Sequence, residues 1–412
     1  MPIQHLNFLL VEDHDFQRRA LKRILTGLGA TQITEVSNGK EALLSFQGTA
    51  LPFDICIVDL NMPGMDGMEL IRHLAEAKSP VSIILASALD RALISSVETM
   101  ARAYGITLLG AIEKPATPAT LQLIIDRFSL QRGAGQVRAR SIQPTVDTLR
   151  LALELDQFEP YFQPKADLKT GLVTSAEALA RWIHPELGLI PPDSFIPPME
   201  AHGLIDQVTE RIVTKTAQIW HQWHKAGQKI AVSINLSLAS LAQLGYAERL
   251  IAILDSERIE PNFIVFEVTE SAAISDLPHT LENLARLRMK GYGLSIDDYG
   301  TGYSSMQQLL RLPFSELKMD RSFVTNACHD SAQVLVLGSG ISLARELRLV
   351  SVAEGVETAA DWKLLRRLAC DYAQGYLIGR PVPGGQFIAA TAAWAEAYDA
   401  LPREVKADAL AS

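Results

Sequence analysis

FIVFEVTES (residues 263–271) and LSIDDYG (294–300) are apolar runs that break into acid, the first at Glu267, the second at the adjacent pair Asp297 and Asp298. Five more runs in the C-terminal two-thirds share this build: LVTSAEAL (172–179) with Glu177, IAVSINLS (230–237) with Asn235, ELKMD (316–320) with Lys318, LVSVAEGVE (349–357) with Glu354 and YAQGYL (372–377) with Gln374. Strands this apolar belong inside a packed sheet, and polar residues placed repeatedly at their ends converge on one rim, as catalytic residues do in α/β barrels. Helical stretches recur between the strands. Residues 206–226 carry an apolar stripe of Val208, Ile212, Ile219 and Trp223, with Gly227 placed to end the helix. The pattern predicts a parallel (β/α) barrel with its site at the strand ends.

Upstream, NFLLVED, QITEVS, FDICIVDLN, VSIILAS and LLGAIEKP alternate with helical stretches up to about residue 128, the order of a doubly wound parallel sheet. QRGAGQVRARSIQP (131–144) follows, with two glycines, three arginines, no acid and no apolar periodicity, and reads as a linker. The expected organisation of the 412 residues is a first domain over 1–130, a linker over 131–144 and a second domain over 145–400.

Composition sets further bounds. The chain is 48% hydrophobic and 21% charged with a formal net charge of −9, which disfavours nonspecific nucleic-acid binding. The start lacks a basic leader segment, and no charge-free apolar stretch approaches a membrane span, so a cytoplasmic protein is expected. Cys56, Cys328 and Cys370 lie too far apart for a CxxC site and read as core thiols.

In the first domain Glu12 and Asp13 follow strand one, Asp59 ends strand three, Ser87 ends strand four and Lys114 follows strand five. Carboxylates gathered at one edge of a doubly wound sheet suit Mg²⁺, and the metal with a lysine can neutralise a phosphoryl group on Asp59. VED, VDLNMPGMDG, LASA and EKP resemble the signature of response-regulator receiver domains over residues 5–128. The resemblance implies a flavodoxin-like fold, Mg²⁺ held by Glu12, Asp13 and Asp59, and Asp59 as the phosphoacceptor. It also implies Ser87 as the hydroxyl that follows phosphorylation, Lys114 as the phosphoryl partner and a cognate sensor histidine kinase as partner. Ala111 departs from the pattern, standing where many receivers carry a Tyr or Phe that reorients.

In the second domain Glu177, Asn235, Glu267, Asp297 and Asp298 offer only oxygen ligands, a set that hard cations such as Mg²⁺ or Mn²⁺ prefer. The Asp297–Asp298 pair lets one carboxylate bridge two ions about 3.5–4 Å apart, a spacing suited to phosphodiester displacement. Lys318 would then orient or stabilise an attacking hydroxide, and Glu354 would bind the second metal or accept a proton.

The motifs YFQP, AEALARW, SINLS, FEVTES, DDYGTGYSS, LKMD, AEGVE and AQGYLIGRP are similar to those of the EAL family of cyclic di-GMP phosphodiesterases over roughly residues 145–390. That resemblance implies a modified TIM barrel whose first strand is antiparallel, and hydrolysis of cyclic di-GMP to linear pGpG. It implies Glu177, Asn235, Glu267 and Asp297 around one metal, Asp297, Asp298 and Glu354 around the second, and Lys318 beside the water. Gln163, Leu179, Arg181 and Gln374 would contact the dinucleotide, with Arg181 suited to a phosphate. Glu270 would brace the loop 297–306. Departures are Lys165 where many members carry an aliphatic residue, Ser175 for Gly, Tyr299 for Phe and Met306 for Leu.

His221 and His224 lie three apart on a predicted helix without acidic company, which favours a surface or packing role over metal binding. Arg132, Arg138 and Arg140 fit a solvated linker better than a nucleic-acid contact, and no DNA-reading element is found. The sequence therefore reads as a two-component response regulator that hydrolyses cyclic di-GMP, gated by Asp59 phosphorylation and expected to form homo-oligomers, a dimer or higher. The alternative is a non-catalytic cyclic di-GMP receptor or protein-interaction adaptor.

Overall fold

In the computed structural model the described residues are 3–48, 52–77, 79–87, 97, 100–101, 104–136, 144–269, 278–300, 314–325 and 327–402. The chain divides into two compact units, 1–141 and 142–412.

Five parallel strands build the first unit: β1 (Asn7–Val11), β2 (Gln32–Val36), β3 (Ile55–Asp59), β4 (Ser82–Ser87) and β5 (Thr107–Glu113), in the order β2-β1-β3-β4-β5. This is the order of the flavodoxin-like fold that the receiver resemblance implies. The two-residue period of a strand sorts its side chains between two cores. Leu9, Val11, Cys56, Val58, Ile83 and Leu85 join Leu70, Ile71 and Leu74 of the helix Gly67–Glu76 on one face. Phe8, Leu10, Ile55, Ile57, Ile84 and Ala86 meet Leu21 and Leu25 of the helix Asp15–Gly27, and Leu121, Ile124 and Ile125 of the helix Pro118–Gln136, on the other. A sheet covered on both faces explains why β3 is buried at every position. The last of these helices runs into the stretch read as a linker, through Gly133 and Gly135, and residues 137–143 lie outside the described ones.

The second unit is a closed barrel. Its strands are β6 (Phe158–Asp167), β7 (Val173–His184), β9 (Ala231–Asn235), β10 (Ile264–Thr269), β11 (Gly293–Tyr299), β12 (Glu316–Met319), β13 (Val350–Ala353) and β14 (Tyr372–Gln374), with short outer strands β8 (Gly188–Ile190) and β15 (Val382–Pro383). From β7 through β14 the barrel neighbours pair parallel, whereas β6 closes the ring antiparallel to both β7 and β14. Alternation along β6 puts Phe162 and Ala166 into the surrounding hydrophobic core and leaves Gln163 and Lys165 for the interior. The helix Ile205–Lys225 buries Val208, Ile212, Trp220 and Trp223 against the barrel, and Gly227 takes the left-handed conformation (φ 79°) just beyond its end.

His221 is half-buried and His224 exposed, and each has a partner within its own unit. His224 stacks on Trp220 with ring centroids 4.7 Å apart, and His221 bonds the Glu257 carbonyl at 2.5 Å. Cys56 and Cys370 are core thiols, each pushed up to about 12 by burial. Cys328 is not: it lies exposed on the short turn Ala327–His329, where Ala327 takes the buried position. Among the described residues no helix is long and apolar enough to cross a membrane.

Candidate active site

The polar rim expected from the sequence is assembled at the C-terminal ends of the parallel strands, and Lys318 stands at its centre. Its ammonium lies 2.7 Å from Glu267 Oε2, 2.9 Å from Asp297 Oδ1, 2.6 Å from Glu354 Oε1 and 3.5 Å from Glu177 Oε2. Lys318 is 1% exposed, and burial would strip its proton were it not for these carboxylates, which raise its pKa above the usual value instead. Asn235 donates from Nδ2 to Glu177 Oε1 at 2.7 Å, fixing that carboxylate from the neighbouring strand.

Local backbone geometry explains how adjacent acids share one mouth. Consecutive strand residues normally point to opposite faces. Between Ile296 and Tyr299 the ladder to β12 slips, and Asp298 takes a left-handed φ of 56°. With this irregularity, carboxylate oxygens of Asp297, Asp298 and Glu354 gather within 4.8 Å of one another. Glu354 follows β13 directly, and its N–H donates to Met319 O at 3.1 Å. Gly355 must then turn sharply at φ 68°, where a Cβ would meet that of Arg321 at 2.4 Å.

Acids outnumber lysines in the cluster, and burial makes most of these acids harder to ionise. Burial, reinforced by neighbouring acids, lifts Asp298 to about 6 and Glu354 to about 8 despite its contact with Lys318. Glu177 is raised by burial and by Glu267. Glu267 is the exception: burial alone would raise it, but the ammoniums of Lys165 and Lys318 hold it down at about 2. Two lysines, Lys318 and Lys165, among five acidic side chains leave room for cations, and an all-oxygen donor set fits hard divalent ions.

Beside this cluster, Gln374 donates from Nε2 to Glu177 Oε2 (2.6 Å) and Gln163 Oε1 (3.1 Å), while Gln163 donates to Gly379 O (3.2 Å). Leu179 and Arg181 follow Glu177 at two-residue steps on β7, so all three share a face, and burial lowers the Arg181 pKa. Glu270, the loop residues 301–306 and Met306 lie outside the described residues.

Sequence reasoning noticed Lys165 only as a departure. The structure buries it in the barrel, where Nζ donates to Ser233 Oγ (2.7 Å) and Glu267 Oε1 (2.8 Å) and lies 3.4 Å from Glu316 Oε1. The available signal was a lysine placed within a strand of the barrel, since a charge buried there persists only when paired.

In the first unit Lys114 Nζ lies 2.7 Å from both Glu12 Oε2 and Asp59 Oδ2. Burial raises the Glu12 pKa, and oxygens of Glu12, Asp13 and Asp59 come within 4.8 Å of one another, a donor set that also fits a hard cation. Asn61 N–H donates to Asp59 Oδ1 at 3.2 Å. Gly67 is required behind Asp59, because a Cβ there would sit 2.4 Å from the Asp59 carbonyl oxygen. Ser87 ends β4, with its side chain outside the description, and Ala111 pairs with Leu85 in the ladder.

Comparison with known proteins agrees with both units. The EAL domain model matches residues 146–381 and the response regulator receiver domain model residues 8–126. Over 93% of the chain there is 35% identity to the cyclic di-GMP phosphodiesterase RocR of Pseudomonas aeruginosa, 98% of whose length is covered. A bifunctional diguanylate cyclase/cyclic di-GMP phosphodiesterase of that organism, MucR, is 41% identical over 59% of the chain and 36% of its own length. Among solved structures, a MucR phosphodiesterase in complex with cyclic di-GMP superposes with a TM-score of 0.56 at 41% identity, covering 59% of this chain and 98% of that one. The cyclic di-GMP-bound EAL domain of FimX from P. aeruginosa gives a TM-score of 0.53 at 25% identity, covering 57% and 94%.

Proposed function

This chain belongs to the EAL domain family and carries a response regulator receiver domain ahead of its barrel, and on that premise we propose that its output is hydrolysis of cyclic di-GMP to linear pGpG, gated by phosphorylation of Asp59. The observation that carries the reading is the Lys318 ammonium, buried among carboxylates from four strands or strand ends. Burying so many ionisable groups is costly, and such clusters concentrate at functional sites.

Glu177, Asn235, Glu267 and Asp297 would hold one divalent ion, Mg²⁺ or Mn²⁺, and Asp297, Asp298 and Glu354 the second. When bound, such ions supply Lewis-acid polarisation of a phosphate and make water more acidic. The protein's own residues do the rest. Arg181 binds a phosphate of the dinucleotide, Gln163, Leu179 and Gln374 position it, and Lys318 orients the attacking water by its ammonium protons. Glu354, with its carboxyl at about 8, is poised near neutrality to take up or release a proton. Glu270 would brace the loop from Asp297.

On the receiver side, Glu12, Asp13 and Asp59 would hold Mg²⁺, Lys114 would neutralise a phosphoryl group on Asp59, and a sensor histidine kinase would be the donor. A homo-oligomer, dimer or higher, is proposed as the working form. Incubation of the purified chain with cyclic di-GMP and Mg²⁺ tests the reading: pGpG should form, and a chelator should stop it.

A further inference from the structure

Lys165 lies one layer deeper in the barrel than Lys318. Its partner Glu316 is the first residue of β12, two before Lys318, and Ser233 stands two before Asn235 on β9. Among the described residues, Glu267 is the acid shared by the two lysines: Lys165 holds Oε1 at 2.8 Å and Lys318 approaches Oε2 at 2.7 Å. Lys165 is 1% exposed and Glu267 is fully buried, so neither reaches water as a substitute partner. The terminal torsion of a glutamate is soft, and an untethered carboxylate would swivel toward whichever cation is nearest. The Lys165 ammonium, itself pinned by Ser233 and Glu316, removes that freedom.

We propose that Lys165 is a positioning residue: it ties down one oxygen of Glu267 from the closed side of the barrel, so that the other is always presented to the mouth. This rests on the reading of Glu267 as a metal ligand. Replacing Lys165 by an uncharged residue has two opposing consequences. Removing a positive charge would strengthen cation binding nearby, whereas freeing Glu267 would spoil a ligand. The proposal requires the second to win.

The test uses the full chain with Asp13→Asn and Asp59→Asn in every sample, so that the receiver acids do not compete for metal. Mn²⁺ affinity of metal-free protein is measured by calorimetry, beside steady-state hydrolysis of cyclic di-GMP. Lys165→Met should weaken Mn²⁺ binding by about tenfold or more, the usual range for a residue that orients a ligand, and lower kcat with it. KM for the dinucleotide should stay within about twofold, because the contacts to it are untouched. Combined with Glu267→Gln, Lys165→Met should cause no further loss of Mn²⁺ affinity. Unchanged or tighter Mn²⁺ binding in Lys165→Met overturns the proposal, as do losses that simply multiply in the double variant. Should Lys165→Met fail to fold, Ser233→Ala decides: it should weaken Mn²⁺ binding in the same direction, and an unchanged affinity overturns the proposal. Failure of the parent chain itself to bind Mn²⁺ or hydrolyse cyclic di-GMP would instead refute the reading of the site.

Discussion

The Lys318 ammonium lies 2.6 Å from Glu354 Oε1, yet the Glu354 carboxyl stays at about 8. Burial and the nearby Asp297 and Glu177 carboxylates outweigh a direct ion pair. The carboxyl therefore keeps a proton at neutral pH, and a divalent ion bound there would take that proton's place.

Metal binding should consequently depend on pH. A cation must displace the protons held by Asp298, at about 6, and Glu354, at about 8, so apparent Mn²⁺ affinity should rise with pH through that window and level off above it. Calorimetry of the Asp13→Asn, Asp59→Asn chain in buffers of different ionisation enthalpy would also count the protons released. A flat affinity across the window would contradict the assignment.

The same carboxyl makes a stability prediction for metal-free protein. The folded-state pKa of Glu354 is raised from 4.5 to about 8. Between those values the folded state keeps a proton that the unfolded chain has released, so this group's contribution to stability falls as pH rises. Glu354→Gln removes the dependence. Its melting temperature relative to wild type, measured with chelator, should climb across the window and stay level above about 8.

Removing a ligand should act on turnover more than on binding. Glu177→Ala or Asp297→Asn should reduce kcat by at least about 100-fold, because water and phosphate must be positioned together. Cyclic di-GMP binding should survive better. Retention of most activity in either variant would remove these residues from the site.

Arg181→Met separates substrate recognition from metal binding. Loss of a charge-assisted contact to phosphate should raise KM by about tenfold or more. Mn²⁺ affinity should not change, and a parallel loss of metal would place Arg181 among the metal-holding groups instead.

Phosphorylation is expected to raise activity. Acetyl phosphate should stimulate pGpG formation by wild type and leave Asp59→Asn unaffected. Ala111 in place of an aromatic relay makes the stimulation modest. Equal rates in all samples, with wild-type phosphorylation verified, would sink the gating proposal.

Strand ends were the legible part of this chain, since apolar runs interrupted by Glu177, Glu267, Asp297 and Lys318 report local pattern directly. The reversed direction of β6 was not legible, because a strand's side-chain alternation is the same whichever way it runs. It came from resemblance and is seen in the antiparallel pairing of β6 with β7 and β14. The left-handed backbone at Asp298 and the role of Lys165 also escaped pattern reading. Lys165 meets Glu267, 102 residues away, only once the barrel has closed. Cys328 was misplaced for the opposite reason: composition favours buried thiols, but a short turn left this one exposed.

The most direct test is chemical. The purified chain, freed of metal and then given Mg²⁺ and cyclic di-GMP, should yield linear pGpG, and an equal sample with chelator should return the dinucleotide intact. Binding of cyclic di-GMP without any pGpG in the Mg²⁺ sample would contradict the account and leave a receptor in place of an enzyme.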